Sequence, residues 1–153
     1  MYENGANIYT KNNKALTSAI ENEHFEVTEF LIENSDADKI DINECLSNSP
    51  AKVEFVNLFL VNGAKKKYAK NVLMLSYNKI NLLKFLFESG VNIFKIEVLN
   101  NACKANNINV VKFLIKKRMD IHNKYEEAIE YACRNNNIDL IKNIKRKWSR
   151  YSF

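Results

Sequence analysis

Turn-forming residues are scarce in this chain: 3 Gly and 1 Pro among 153 residues. A many-turned all-β fold needs more of both, so the shortage favours helices. The 3 Cys form no CxxC or CxxxC pair, which removes the usual spacings of a zinc or redox centre, and an odd trio does not build a disulfide scaffold. Reduced thiols in an intracellular, cytoplasmic setting are the expectation. With 2 His and no glycine-rich phosphate loop, the sequence offers no converging set of catalytic groups. We therefore expect no enzyme, no cofactor and no metal. No apolar run approaches the ~18 residues of a membrane span, and Met1–Thr10 is too polar for a secretory signal.

What is present is enough to fold. Hydrophobic residues make up 46% and aromatics 11%, and the length suits one domain with a continuous core. Asn, Lys and Ile together supply 58 residues (24, 19 and 15), a bias toward amino acids with A/T-rich codons. Charge is polarised: residues 1–50 hold 3 Lys+Arg against 10 Asp+Glu, net −7, while residues 51–153 hold 20 against 8, net +12. Such polarity bears on partners and solubility more than on fold.

The chain repeats itself. Segments beginning at Phe25, Val53, Ile80, Ile108 and Ile138 align without gaps, their starts 28, 27, 28 and 30 residues apart. Ten residues after the starts at Val53 and Ile80 come Gly63 and Gly90, and Gly5 shares their phase. Apart from Thr28 and Asn143, the segments are apolar at i, i+2, i+3, i+5 and i+6, too broad a stripe for a helix with one wet face, so it must be covered on at least two sides. The preceding stretches, clearest at Ala15–Ile20 and Ala128–Cys133, carry the spacing of a second, amphipathic helix. Small residues stand six places before most starts (Ala19, Ser47, Ala102, Ala132; Met74 is the exception), where two helices need close approach. Polar joints follow at residues 21–24, 104–107 and 134–137, rich in Asn, which turns and adopts left-handed conformations cheaply. The unit is thus helix, tight turn, helix, exit and polar loop, and only stacked neighbours can bury its stripe. The predicted fold is an all-α solenoid of about five stacked helix-turn-helix repeats in a single domain, 1–153. The units cover residues 5–34, 35–62, 63–89, 90–117 and 118–147, with 148–153 as the C-terminal end.

On these residues the chain resembles an ankyrin-repeat protein. The run Glu23-His24-Phe25-Glu26-Val27-Thr28-Glu29-Phe30-Leu31-Ile32-Glu33 is similar to that family's second-helix signature, G-H-x-E-V-V-x-x-L-L-x. The exits Asn4-Gly5-Ala6-Asn7-Ile8, Asn62-Gly63-Ala64 and Ser89-Gly90-Val91-Asn92-Ile93 resemble its N-G-A-D-[IV] run, in which glycine takes the left-handed residue after a helix. The T-P-L-H box that opens the family's first helix is absent. Units two and three fit worst there, around Ser49-Pro50 and Val72–Leu75, so a short or irregular first helix is expected in both. The short, divergent, Asn-rich form is similar to the ankyrin proteins of large DNA viruses of amoebae. A tetratricopeptide array would need ~34 residues per unit and its own W-L-G-Y pattern, which the chain lacks. The chain begins at a unit's exit, so the first full hairpin is expected to be exposed, and the charged Lys145–Arg150 stretch reads as a polar C-terminal cap.

The individual candidates are mostly structural. The resemblance implies a structural hydrogen bond for His24 at the inter-helix turn. Cys103 and Cys133 share a unit position with Ile20 and Leu75, a core position that implies buried, inert thiols, while Cys45 finds no place in the pattern. The pairs Glu21/Glu23 and Glu126/Glu127 read as solvated. For function, the resemblance implies a non-enzymatic protein-interaction module, binding its partner on a concave surface of loops and first helices. Counting past each exit selects Tyr9, Lys11, Lys39, Lys67, Tyr68, Phe94, Lys95, His122, Lys124 and Tyr125 as the partner-binding row, since aromatic anchors carry most interface energy. A viral host-interaction protein, monomeric and acting in host cytoplasm, fits this reading. The alternative is a nucleic-acid-associated protein using the basic 51–153 surface, through Lys65–Lys67, Lys116–Arg118 and Lys142–Arg150.

Overall fold

The computed structural model describes residues 14–35, 39–117 and 125–148, apart from the side chains of Tyr125, Lys147 and Trp148. Every regular element among them is helical: α1 (Lys14–Glu21), α2 (Phe25–Glu33), α3 (Ile42–Ser47), α4 (Val53–Val61), α5 (Lys70–Leu75), α6 (Ile80–Glu88), α7 (Ile96–Lys104), α8 (Ile108–Lys116), α9 (Tyr125–Arg134) and α10 (Ile138–Trp148). The fold is all-α, of the helical-repeat solenoid class. The chain divides into two compact units, residues 1–72 and 73–153, with the division inside α5.

In the first unit, α1 packs on α2, α3 on α4, and α4 lies against α2. Its core gathers Leu16, Ile20, Leu46, Phe55, Val56 and Phe59, with the Phe25 ring set edge-on to Phe55 at a centroid distance of 5.4 Å. In the second unit, α7 packs on α8 and α9 on α10, while α9 lies against α7 and α10 against α8. Leu83, Leu86, Ile93, Leu99, Val111, Leu114, Leu140 and Ile144 form that core. The broad stripe of the second helices is therefore covered wherever a neighbouring hairpin flanks it, as the apolar pattern requires.

The joints explain why Asn is so frequent. In the α1–α2, α7–α8 and α9–α10 hairpins the turn is the same: Glu23, Asn106 and Asn136 adopt φ of 58°, 56° and 51°. The next residue's N–H reaches back five places, from His24 to Ala19 at 2.9 Å, Asn107 to Ala102 at 2.8 Å and Asn137 to Ala132 at 3.0 Å. This is the Schellman closure of a helix end, and it brings each buried alanine under the turn. Helix-two exits repeat the device with glycine. Gly63 and Gly90 sit at φ 93° and 77°, and Ala64 and Val91 N–H bond back to Phe59 and Leu86.

The two middle first helices are short, as the weak match there predicts. α3 and α5 each have six residues, and α5 is flanked by 3-10 turns at Lys66–Ala69 and Ser76–Asn78. One consequence is a correction: Leu75, expected in the core, is half exposed, because it ends α5 just where the 3-10 turn changes the register. A second correction concerns His24. Its side chain is exposed and does not cap α2; its backbone does the work, the carbonyl accepting from Thr28 N–H and Oγ1. Its equivalents are caps: Asn107 Oδ1 accepts from Val110 N–H at 3.2 Å, and Asn137 Oδ1 from Leu140 N–H at 2.9 Å.

Because His24 (φ −82°, ψ 87°) and Asn107 (φ −86°, ψ 85°) share one backbone conformation, His24→Asn should gain the missing cap and stabilise the protein by about 0.5–1 kcal/mol in urea unfolding. Gly63→Ala should instead cost about 1 kcal/mol: a Cβ there meets no atom within 4 Å, so the loss is purely that of the left-handed backbone.

Candidate functional site

Five of the ten residues selected from the sequence have described side chains, and all five are exposed: Lys39, Lys67 and Tyr68 in the first unit, Phe94 and Lys95 in the second. Tyr9, Lys11, His122 and Lys124 lie outside the described residues. Tyr125 begins α9, with its side chain outside the description.

In the first unit, Tyr68 belongs to the 3-10 turn that leads into α5 and is 38% exposed. Lys67 Nζ stands 5.0 Å from its ring centroid, a cation over an aromatic face. The turn is anchored from α3: Asn43 Oδ1 accepts from Lys65 N–H at 2.8 Å, and the Ser47 carbonyl accepts from Asn71 Nδ2 at 2.9 Å. Lys39 lies elsewhere in this unit, at a groove of about 260 Å³ between α1 and α3. Leu16, Ile20 and Cys45 give the groove an apolar lining, and Glu21, Asp41 and Glu44 edge it with carboxylates. Asp41 is already employed, its carboxylate accepting from Asn43 and Glu44 N–H to cap α3. The Cys45 thiol is pushed up to about 11, chiefly by burial and further by Glu44 and Asp41.

In the second unit, Phe94 is 40% exposed but not loose. Its N–H donates to Asn92 Oδ1 at 3.1 Å, and its ring meets Phe87 at 6.2 Å, near perpendicular. Phe87 also meets Phe113, and Lys117 Nζ lies 4.4 Å from the Phe87 centroid. Phe94 is thus an aromatic side chain held in place before any ligand arrives, which lowers the entropic cost of using it as an anchor. Lys95 starts α7 beside it without capping the helix.

Sequence reasoning missed the groove, with Cys45, Asp41 and Glu44, and the Phe87–Phe113–Lys117 cluster. An Asp before a short apolar stretch was the available signal for the first. For the second it was the recurrence of large apolar residues at the eighth place of the second helices. The thiols need a correction too. Cys103 is buried, its thiol pushed up to about 12 by desolvation, but Cys133 is exposed. The two share a unit position; α9 covers α7, whereas no described element stacks beyond α9.

The structure thus repeats a helix pair in a register of 27 to 30 residues, with left-handed turns at Glu23, Asn106 and Asn136 and left-handed glycine exits at Gly63 and Gly90. A family model of ankyrin repeats in three copies matches residues 48–147. The chain belongs to the ankyrin-repeat family. Ankyrin repeats are protein–protein interaction modules in general. No curated protein and no solved structure matches the chain. Among the described residues, no group of His, Cys, Asp and Glu in these ankyrin repeats is arranged to hold a metal ion, and no helix is long and apolar enough to cross a membrane.

A thiol reagent should modify the exposed Cys133 in the native protein, and the buried Cys45 and Cys103 only on unfolding. Both buried thiols have folded pKa values above the unfolded one, so their contribution is complete below pH ~9 and falls as pH rises toward 11 to 12. Urea midpoints measured across that range should decline, and less so in a Cys45→Ala/Cys103→Ala protein.

Proposed function

We propose that this ankyrin-repeat protein is a non-enzymatic binding module that takes a protein partner on its loop tips and first-helix faces. The observation that carries this reading is the pair of exposed aromatic side chains at unit exits, Tyr68 and Phe94, each already held by neighbours. Aromatic anchors with basic companions at Lys39, Lys67 and Lys95 suit an interface that needs buried apolar contact at its centre and charge at its rim. Tyr9, Lys11, His122, Lys124 and Tyr125 extend the proposed row. The Asn, Lys and Ile bias supports a viral origin, and with it a host protein as the partner.

The test is affinity capture from amoebal lysate with nuclease present, comparing the native chain with Tyr68→Ala and Phe94→Ala variants of unchanged thermal stability. A saturable protein partner whose affinity drops about tenfold or more in either variant is the expected result, the weight of one interface anchor. Capture that disappears with nuclease alone, or that falls steeply with salt, would transfer the function to nucleic acid on the exposed Lys65–Lys67, Lys116 and Lys117 side chains.

A further inference from the structure

Two ring contacts give the rule by which successive second helices meet. In the first unit Phe25, the first residue of α2, meets Phe55, the third residue of α4, at 5.4 Å. In the second unit Phe87, the eighth residue of α6, meets Phe113, the sixth of α8, at 6.0 Å and 90°. First and eighth positions of one second helix therefore face third and sixth positions of the next. At α2 the third and sixth positions are Val27 and Phe30, which are 50% and 53% exposed, whereas the third residues of α4, α6 and α8 (Phe55, Leu82 and Val110) are buried. At α10 the first and eighth positions are Ile138 and Lys145. Ile138 is 62% exposed and Lys145 is exposed, whereas the first residues of α4, α6 and α8 (Val53, Ile80 and Ile108) are half-buried.

We propose that the α10 face of one copy docks on the α2 face of a second copy, continuing the repeat register head to tail. Ile138 then covers Val27, and Lys145 lies against the Phe30 ring much as Lys117 lies over Phe87 and Phe113. Charge selects this pairing. α2 carries Glu26, Glu29 and Glu33 and no cation, while α10 carries Lys142, Lys145 and Arg146 against Asp139. Two α2 faces would set carboxylates against carboxylates and two α10 faces cations against cations, so only the head-to-tail contact is attractive. The surface is not self-complementary, so each added copy presents a fresh end and assembly continues unless the rotation closes a ring. This proposal departs from the monomer expected from the sequence. Neither Tyr68 nor Phe94 lies on the two end helices, so the proposal stands apart from the partner reading.

The experiment is sedimentation velocity of the full chain across a wide concentration range at about 0.05 M and about 0.5 M salt. Average mass should rise with concentration at low salt, and the rise should weaken at high salt. Val27→Glu/Phe30→Glu, which blocks the α2 face, and Ile138→Glu/Lys145→Glu, which blocks the α10 face, should each be monomeric alone. Mixed in equal amounts they should form a 1:1 dimer and nothing larger, because one variant keeps its α10 face and the other its α2 face. That complementation also shows that both variants fold. A native chain that stays monomeric at every concentration would overturn the proposal, and so would assembly that survives either double substitution or a mixture that does not pair.

Discussion

A second helix that is apolar on two sides cannot be satisfied by the single first helix it hairpins with, and that shortage of cover governs the rest of the molecule. It makes stacking obligatory, since Phe55, Phe59, Leu83, Leu86, Val111 and Leu114 reach full burial only with elements from an adjacent hairpin beside them. It sets the helix lengths, about nine residues in α2, α4, α6 and α8, because each buries one stripe and then must leave. It also decides what an end looks like. Where no described neighbour follows, equivalent residues turn outward, and Val27, Phe30, Cys133 and Ile138 are the same kind of residue as their buried counterparts in a different surrounding.

Stacking at short spacing needs sharp reversals, and the chain makes them with one backbone device, placed between the helices in the α1–α2, α7–α8 and α9–α10 hairpins and after the second helix in the α3–α4 and α5–α6 hairpins. A left-handed residue closes the first helix over a buried alanine, and a left-handed glycine closes the second. Asn106 and Asn136 take that conformation at small cost, while Glu23 takes it at a larger one and holds Lys52 Nζ at 2.7 Å across the neighbouring hairpin. Asn side chains then knit the turns together: Asn135 Nδ2 donates to the Cys103 carbonyl at 2.9 Å, and Asn137 Nδ2 to Asn106 Oδ1. The Asn excess, read from composition as a mark of codon bias, is thus in part put to structural use.

Phase along the sequence was enough to find the hairpins, and the family resemblance added the left-handed glycines and the weak first helices around Ser49-Pro50 and Val72–Leu75. Phase states where a residue stands within its own hairpin. It carries no information on what stands beside that hairpin, which is why Cys133 was placed with Cys103, and Leu75 with Ile20. The His24 hydrogen bond failed for a related reason: the resemblance supplied a residue type, whereas the cap needs an oxygen at that backbone conformation, as Asn107 and Asn137 provide. The exposed aromatic tips were legible because loop register follows helix register. The groove beside Cys45 was not, since its two walls, α1 and α3, come from different repeats.

The shortness of α5 reaches beyond geometry. A helix of six residues closes on only about two backbone bonds of its own, so its persistence is borrowed from the burial of Val72 and Leu73. Amide protons in such a segment exchange through openings far smaller than global unfolding. The 3-10 turn that presents Tyr68 leads directly into this helix. A ligand that grips the tyrosine therefore also stills the segment beneath it, and part of its binding free energy is drawn off as lost backbone entropy. On the proposed reading of Tyr68 as an anchor, affinity at that tip is adjustable from a distance: a substitution that firms α5 tightens binding without touching the ligand.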